Sequence, residues 1–256
     1  MINAFNALMW NGFREARRNR ITVIVAAFAV ALVLSSSLIA ETAVATLDRV
    51  VVDVGLGSMS IMLVVLSIFL SSGMLSREIE RRTIFLVTPK PISRGLFLLA
   101  RLAGNMVTLG VLLLAMAALF CLQLLMYRTP LAAEQFVAIG MLWVELLVLS
   151  SVGFAMASFS GQIVSAVVTA GVYIAGHLSR DIYSLAMKSK QPLLKLLGQG
   201  VYYVLPNLER LNYRPQATYS IAPVSSEILG SIVYAVAYSG ALLAIAILIF
   251  NRRDFK

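Results

Sequence analysis

Charge is scarce in this chain, and so are the side chains that build metal and catalytic centres. Only 13% of the 256 residues are charged, 12 acidic against 21 basic, with one cysteine and one histidine. A soluble domain carries roughly 25% charged residues and is under half apolar, whereas 60% of this chain is hydrophobic. A soluble fold cannot hide that surplus, so it faces lipid. The lone Cys121 excludes an internal disulfide and a cysteine metal site, and it reads as a small apolar residue within a span. The lone His177 excludes a histidine metal cluster. A phosphate loop of the form G-x-x-x-x-G-K-[ST] is missing: Gly55-Leu56-Gly57-Ser58 has no following lysine. Alternating segments of about ten residues, the mark of a membrane β-barrel, are also missing. No cluster of carboxylates or histidines marks one membrane face, as a lipid transferase would need.

Long apolar runs are abundant. A span takes about 20 apolar residues to cross roughly 30 Å of hydrocarbon. Six runs qualify: Ile21–Ala40, Gly55–Leu75, Ala103–Met126, Phe136–Ser158, Gln162–Leu178 and Glu227–Phe250. Backbone amides in lipid are bonded within their own segment, so each run predicts a helix, and the fold class is all-α integral membrane. The first run follows Arg14–Arg20 but is too long for a signal peptide's apolar core of about 7–15 residues.

Six spans put both termini on one side. That side holds thirteen of the 21 basic residues, in the groups 14–20, 77–101 and 252–256, while the short loops opposite hold only Arg49 and Arg128. Positive charge marks the cytoplasmic side, so both termini are expected there. The net charge of +9 is then accounted for by topology and anionic lipid, and nucleic-acid binding is not needed.

Three segments outside lipid stand out. In Asn3–Arg20, Phe5, Leu8, Met9, Gly12, Phe13 and Ala16 recur at helical spacing, with Arg14, Arg17 and Arg18 on the polar side. This predicts a helix over residues 1–20 lying on the inner membrane surface; a plain positive topology anchor is the alternative. In Ser76–Arg101, Arg77–Val87 reads as a short helix ended by Pro89 and Pro91, and Ser93 is a fitting N-cap for the third span. The result is either a charged knob or an ordinary polar loop. In the outer stretch 179–225, Leu193, Leu197, Val201 and Leu205 predict an amphipathic helix between Pro192 and Pro206, seated at the outer interface with Tyr202 and Tyr203. Residues 207–223 show no clear order.

The order of these parts, with E-I-E-R-R-T (Glu78, Glu80, Arg81, Arg82, Thr83) followed by T-P-K-P-I-S-R (Pro89, Ser93, Arg94), resembles the type-2 ABC transporter permeases. The C-terminal Asn251-Arg252-Arg253-Asp254-Phe255 is also similar to the ends of members, and within the family the chain looks closest to the multicopper-enzyme-maturation branch. The resemblance implies one transmembrane domain over 1–256 that acts as the permease of an exporter, with residues 1–20 as its connecting helix. Glu78–Val87 would be the coupling helix, with Glu78, Glu80, Arg81, Arg82, Thr83, Phe85, Pro89 and Arg94 meeting a separate ATPase. It also implies two ATPase subunits that carry the ATP and Mg, a second permease copy or close homologue, and a bacterial inner membrane. No cofactor or catalytic residue is expected on this chain. A periplasmic partner could meet residues 179–225, where members carry a re-entrant or cap element. The alternatives are a secondary transporter or channel without an ATPase, and an assembly factor for a copper enzyme. The former predicts several intramembrane charges and repeat symmetry, of which one charge and no convincing repeat are found. The eleven methionines are spread through apolar spans as filler and do not argue for copper.

Glu145 is that intramembrane charge, and its burial in lipid costs about 2.5–3.5 kcal/mol. It is expected to contact substrate, to bond across a subunit interface, or to be a neutral acid bonded to a serine or Gln123. His177 is expected at the lipid–water boundary where the fifth span ends. A serine-protease pairing of Ser160 with His177 fails on distance, since seventeen residues of helix separate them by roughly 25 Å. Ser71-Ser72-Gly73 and Ala166-x-x-x-Ala170 are expected to let helices approach closely, and Gly171 and Gly176 to loosen the fifth span.

Overall fold

The computed structural model describes residues 47–80, 94–189 and 191–252, and isolated positions before them (6, 9, 10, 14, 23, 27–30 and 32). For residues 75–80, 94, 251 and 252 it describes the backbone alone. Among the described residues the protein is all-helical. The long helices are α1 (Leu47–Glu80), α2 (Arg94–Met126), α3 (Ala133–Ala157), α4 (Gln162–Lys188) and, last in the chain, α7 (Ser225–Arg252). Between α4 and α7 lie α5 (Pro192–Val204), a single 3-10 turn (Glu209–Leu211) and the short α6 (Arg214–Thr218). The five long helices are each long and apolar enough to cross a membrane.

These helices cover the second to sixth apolar runs, save Ser158, which caps α3, and most extend beyond them. α1 begins before Gly55 and continues through Glu80, so Ser76–Glu80 belongs to the span's own helix, and residues 81–87 of the short helix expected over Arg77–Val87 lie outside the described residues. α4 runs ten residues past Leu178. Ser179, Arg180 and Asp181 stop the apolar run, but the stretch lacks the proline that would stop the hydrogen-bond ladder. At 1.5 Å per residue α4 is about 40 Å long, more than the roughly 30 Å of hydrocarbon. Of the predicted first span, Val23, Ala27–Val30 and Leu32 are described and helical, with Phe28 and Leu32 buried. Asn6, Met9, Trp10 and Arg14 are the described positions of the predicted surface helix and are helical. The rest of both lies outside the described residues.

Contacts at the two ends of the bundle fix its direction. Gly95, near the start of α2, lies against Ile247 near the end of α7. At the opposite end Thr129 Oγ1 donates to Asp48 Oδ1 at 2.8 Å, joining the α2–α3 turn to the first turn of α1. The basic groups flanking the 81–93 stretch therefore share one end with Arg252, and residues 189–224 occupy the other.

α3 is the central helix and touches α1, α2, α4 and α7. It is apolar all round, as a helix enclosed by others must be, and Leu146, Val148, Leu149, Phe154 and Ala157 are fully buried. Inside apolar surroundings the helices are joined by small residues and short polar bonds. Ser67 and Ser150 hydroxyls are 3.0 Å apart, and Asn105 Nδ2 donates to Ser150 Oγ at 3.0 Å, which links α1, α2 and α3. Ser165 Oγ donates to the Gly153 carbonyl at 3.0 Å, linking α4 to α3. A Cβ at Gly153 would collide with Ser71, so the expectation that Ser71 allows close backbones is met with Gly153 as its partner. Ala166 and Ala170 pack partly against the core.

Candidate functional site

The segment between α5 and α7, in which residues 207–223 show no clear order from sequence, is an ordered and anchored element. Leu208, Leu211, Tyr213 and Ala217 are at most 5% exposed. The Leu208 N–H donates to the Gly176 carbonyl at 3.2 Å, and the Asn207 N–H to Tyr234 Oη at 2.8 Å. Ser231 Oγ donates to the Arg210 carbonyl at 3.3 Å. α6 sits on α1 and α3, where Arg214 Nε lies 3.3 Å from Asp53 Oδ1 and Thr218 Oγ1 donates to the same oxygen at 3.4 Å. The four anchors follow no period of 2 or 3.6 and stand among Asn, Arg and Pro, so periodicity could not reveal them.

Gly176 makes this seating possible. A Cβ there would stand 2.7 Å from the Pro206 carbonyl oxygen and 2.9 Å from the Leu208 side chain. The residue is needed for a chain crossing and does not act as the loosening point expected from sequence. Gly171, by contrast, faces open space.

Next to this crossing, three titratable side chains from three elements meet. Glu145, midway along α3, has 4% of its side chain exposed, and its Oε1 lies 2.9 Å from His177 Nε2 on α4. His177 Nδ1 lies 3.2 Å from Oε2 of Glu209, on the 3-10 turn. The His177 ring is 21% exposed and the Glu209 side chain 43%. Tyr173, one helical turn before His177, sets its ring edge-on to the imidazole with 4.7 Å between centroids. Asn212 Nδ2 donates to Glu209 Oε2 at 3.2 Å. Beside Glu145 is a cavity of about 30 Å³ lined in part by Ser60, Glu145, Asn212, Tyr213 and Arg214. A space of that size holds about one water.

One expectation is corrected here. His177 is internal to α4 and bonded to two carboxylates. The partner of Glu145 is His177, neither a serine nor Gln123, whose Nε2 instead donates to the Leu32 carbonyl at 3.5 Å. One sequence signal could have joined the pair. α3 and α4 are antiparallel across the short Ser158–Gly161 turn. Glu145 lies thirteen residues before that turn and His177 sixteen after it, so the two stand at similar heights. Nothing in the sequence placed Glu209 beside them.

Three of the remaining predicted site residues lie at the other end of the bundle. Glu78 and Glu80 are in the last turn of α1, and Arg94 is the first residue of α2. Arg81, Arg82, Thr83, Phe85 and Pro89 lie outside the described residues, as does Ser93.

A central helix enclosed by other apolar helices, with small-residue contacts, is the architecture of a helical membrane protein. The family model described as ABC-2 family transporter protein matches residues 6–255. The chain belongs to the ABC-2 transporter family. As an ABC-2 family permease it is a membrane transport protein rather than a catalytic enzyme, and the type-2 ABC resemblance read from its motifs is borne out. A search of curated proteins finds no match to it.

Proposed function

We propose that this chain is the transmembrane permease subunit of an ATP-driven exporter in a bacterial inner membrane, with six spans and both termini cytoplasmic. The single observation that carries this reading is the family match over residues 6–255. It is supported by the charged 76–101 stretch, which joins α1 to α2 at the end of the bundle rich in basic residues. The described helices supply five spans, and the apolar run Ile21–Ala40 is the sixth.

In this reading two separate ATPase subunits bind ATP and Mg and dock on the coupling segment. Glu78, Glu80, Arg81 and Arg82 make directed ion pairs with them, Phe85 anchors the contact, and Thr83, Pro89 and Arg94 shape the turn into α2. Charged pairs at an interface select the partner and its orientation. A second permease copy completes the pathway.

Copurification from native membranes tests the proposal. A stoichiometric ATPase is expected with the parent chain and is expected to be lost when Glu80→Arg and Arg81→Glu are combined. Transport that persists without nucleotide would overturn the reading in favour of a secondary transporter.

A further inference from the structure

Both ring nitrogens of His177 face carboxylate oxygens, and this fixes a proton count. A neutral imidazole has one N–H and one lone pair, and an ionised carboxylate has lone pairs only. The contacts to Glu145 at 2.9 Å and to Glu209 at 3.2 Å are both hydrogen bonds only when two protons are present. Either both nitrogens carry one, or one nitrogen and one carboxyl do. In each form the three groups bear one net negative charge. Removing a proton leaves lone pair against lone pair at one of the two contacts.

The geometry decides which contact opens. Glu145 is almost fully enclosed and, once ionised, loses most if left without a donor. It therefore keeps the remaining N–H. Glu209 is nearly half exposed and already bonded by Asn212, so it can turn to water. Glu209 also belongs to the anchored 205–224 segment, so its release removes one of that segment's ties to α4 and loosens it.

We propose that Glu145, His177 and Glu209 form a proton-binding site, and that its bound proton fastens the 205–224 segment to α3 and α4. A water-sized cavity touches Glu145, Ser60 and Arg214 beside the segment. The other charged and titratable neighbours do not replace that proton. Arg214 of α6 is paired with Asp53 of α1. Arg210 lies over the Tyr234 ring of α7, 5.5 Å from its centroid. Tyr173 of α4 meets the imidazole by its ring edge. The sign follows from the count: the segment is fastened while the site holds its second proton, and it is released as pH rises through the site's titration. The inference stands whether or not an ATPase drives transport.

The test uses the full chain in native membrane vesicles with Cys121→Ser, so that Ala217→Cys is the sole thiol beneath the segment. Its labelling rate by a small thiol reagent is divided by that of an exposed control, Ser220→Cys, which cancels the thiolate fraction. Over about pH 5.5 to 8.5, the range a histidine site samples, the ratio is expected to rise on the order of tenfold. With Glu209→Gln it is expected to stay low and flat, because an amide bonds a neutral imidazole without a second proton. A flat ratio in the parent, or an undiminished rise in Glu209→Gln, overturns the proposal. If Ala217→Cys does not fold, the hydrogen-exchange protection factor of the Leu208 amide in the unsubstituted chain decides instead. It is expected to fall with rising pH, and a constant value overturns the proposal equally.

Discussion

Substituting Gly176→Ala adds one methyl group at the point where Pro206–Leu208 crosses α4. The added carbon would lie 2.7 Å from a backbone carbonyl oxygen and 2.9 Å from Leu208, well inside ordinary contact. A carbonyl cannot rotate away as a flexible side chain can, so the segment itself has to lift. The Leu208 N–H to Gly176 carbonyl bond is already 3.2 Å long, and a shift of about half an ångström takes it outside hydrogen-bond range. Overpacking of this kind costs about 1–3 kcal/mol, and the lost bond adds about 1 kcal/mol. Gly171→Ala is the built-in control. It lies on the same helix five residues earlier with nothing near its added carbon, and alanine favours a helix over glycine by about 1 kcal/mol. In lipid nanodiscs, thermal unfolding is expected to show Gly176→Ala destabilised and Gly171→Ala unchanged or stabilised. Hydrogen exchange across 205–218 is expected to accelerate in Gly176→Ala alone. Equal behaviour of the two variants would refute the close-crossing argument.

Two further outcomes follow from the packing. Leu211→Ala removes a side chain that is 1% exposed and is expected to cost about 2–5 kcal/mol. Its effect is expected to be confined to hydrogen exchange in the 205–218 segment and the helices beneath it, and a loss below 1 kcal/mol by denaturant titration would contradict the anchoring role. Arg128 closes the α2–α3 turn at φ 55, a left-handed conformation that costs a non-glycine residue roughly 1–2 kcal/mol. Arg128→Gly is therefore expected to leave stability unchanged or raise it by up to about 1 kcal/mol once glycine's extra chain entropy is deducted, and a clear drop in unfolding temperature would show that its side chain matters.

The membrane-spanning helices were legible because lipid enforces a simple rule. A run of about 20 apolar residues has one low-energy way to satisfy its amides there, so the second to sixth runs reappear inside α1, α2, α3, α4 and α7. α5 was legible for a related reason: Leu193, Leu197 and Val201 recur every four residues, and Pro192 begins it where a missing N–H costs nothing. The boundaries were less legible, since a helix does not end where its apolar run does. α1 carries on to Glu80 and α4 to Lys188 because neither polar stretch contains a residue that breaks the ladder.

The 207–218 segment and the proton site lie at the limit of that rule. Sequence alone determined that this chain spans a membrane, that it carries one acid deep within a span and one histidine, and that its loops differ in charge. These are consequences of composition and local period. Tertiary structure alone decided that Glu145, His177 and Glu209 meet, and that Gly176 is the place where a returning strand of chain crosses a helix. Such contacts join residues 32 positions apart, from three elements with different periods. Their meeting is set by how α3, α4 and the returning segment pack, which no local pattern encodes.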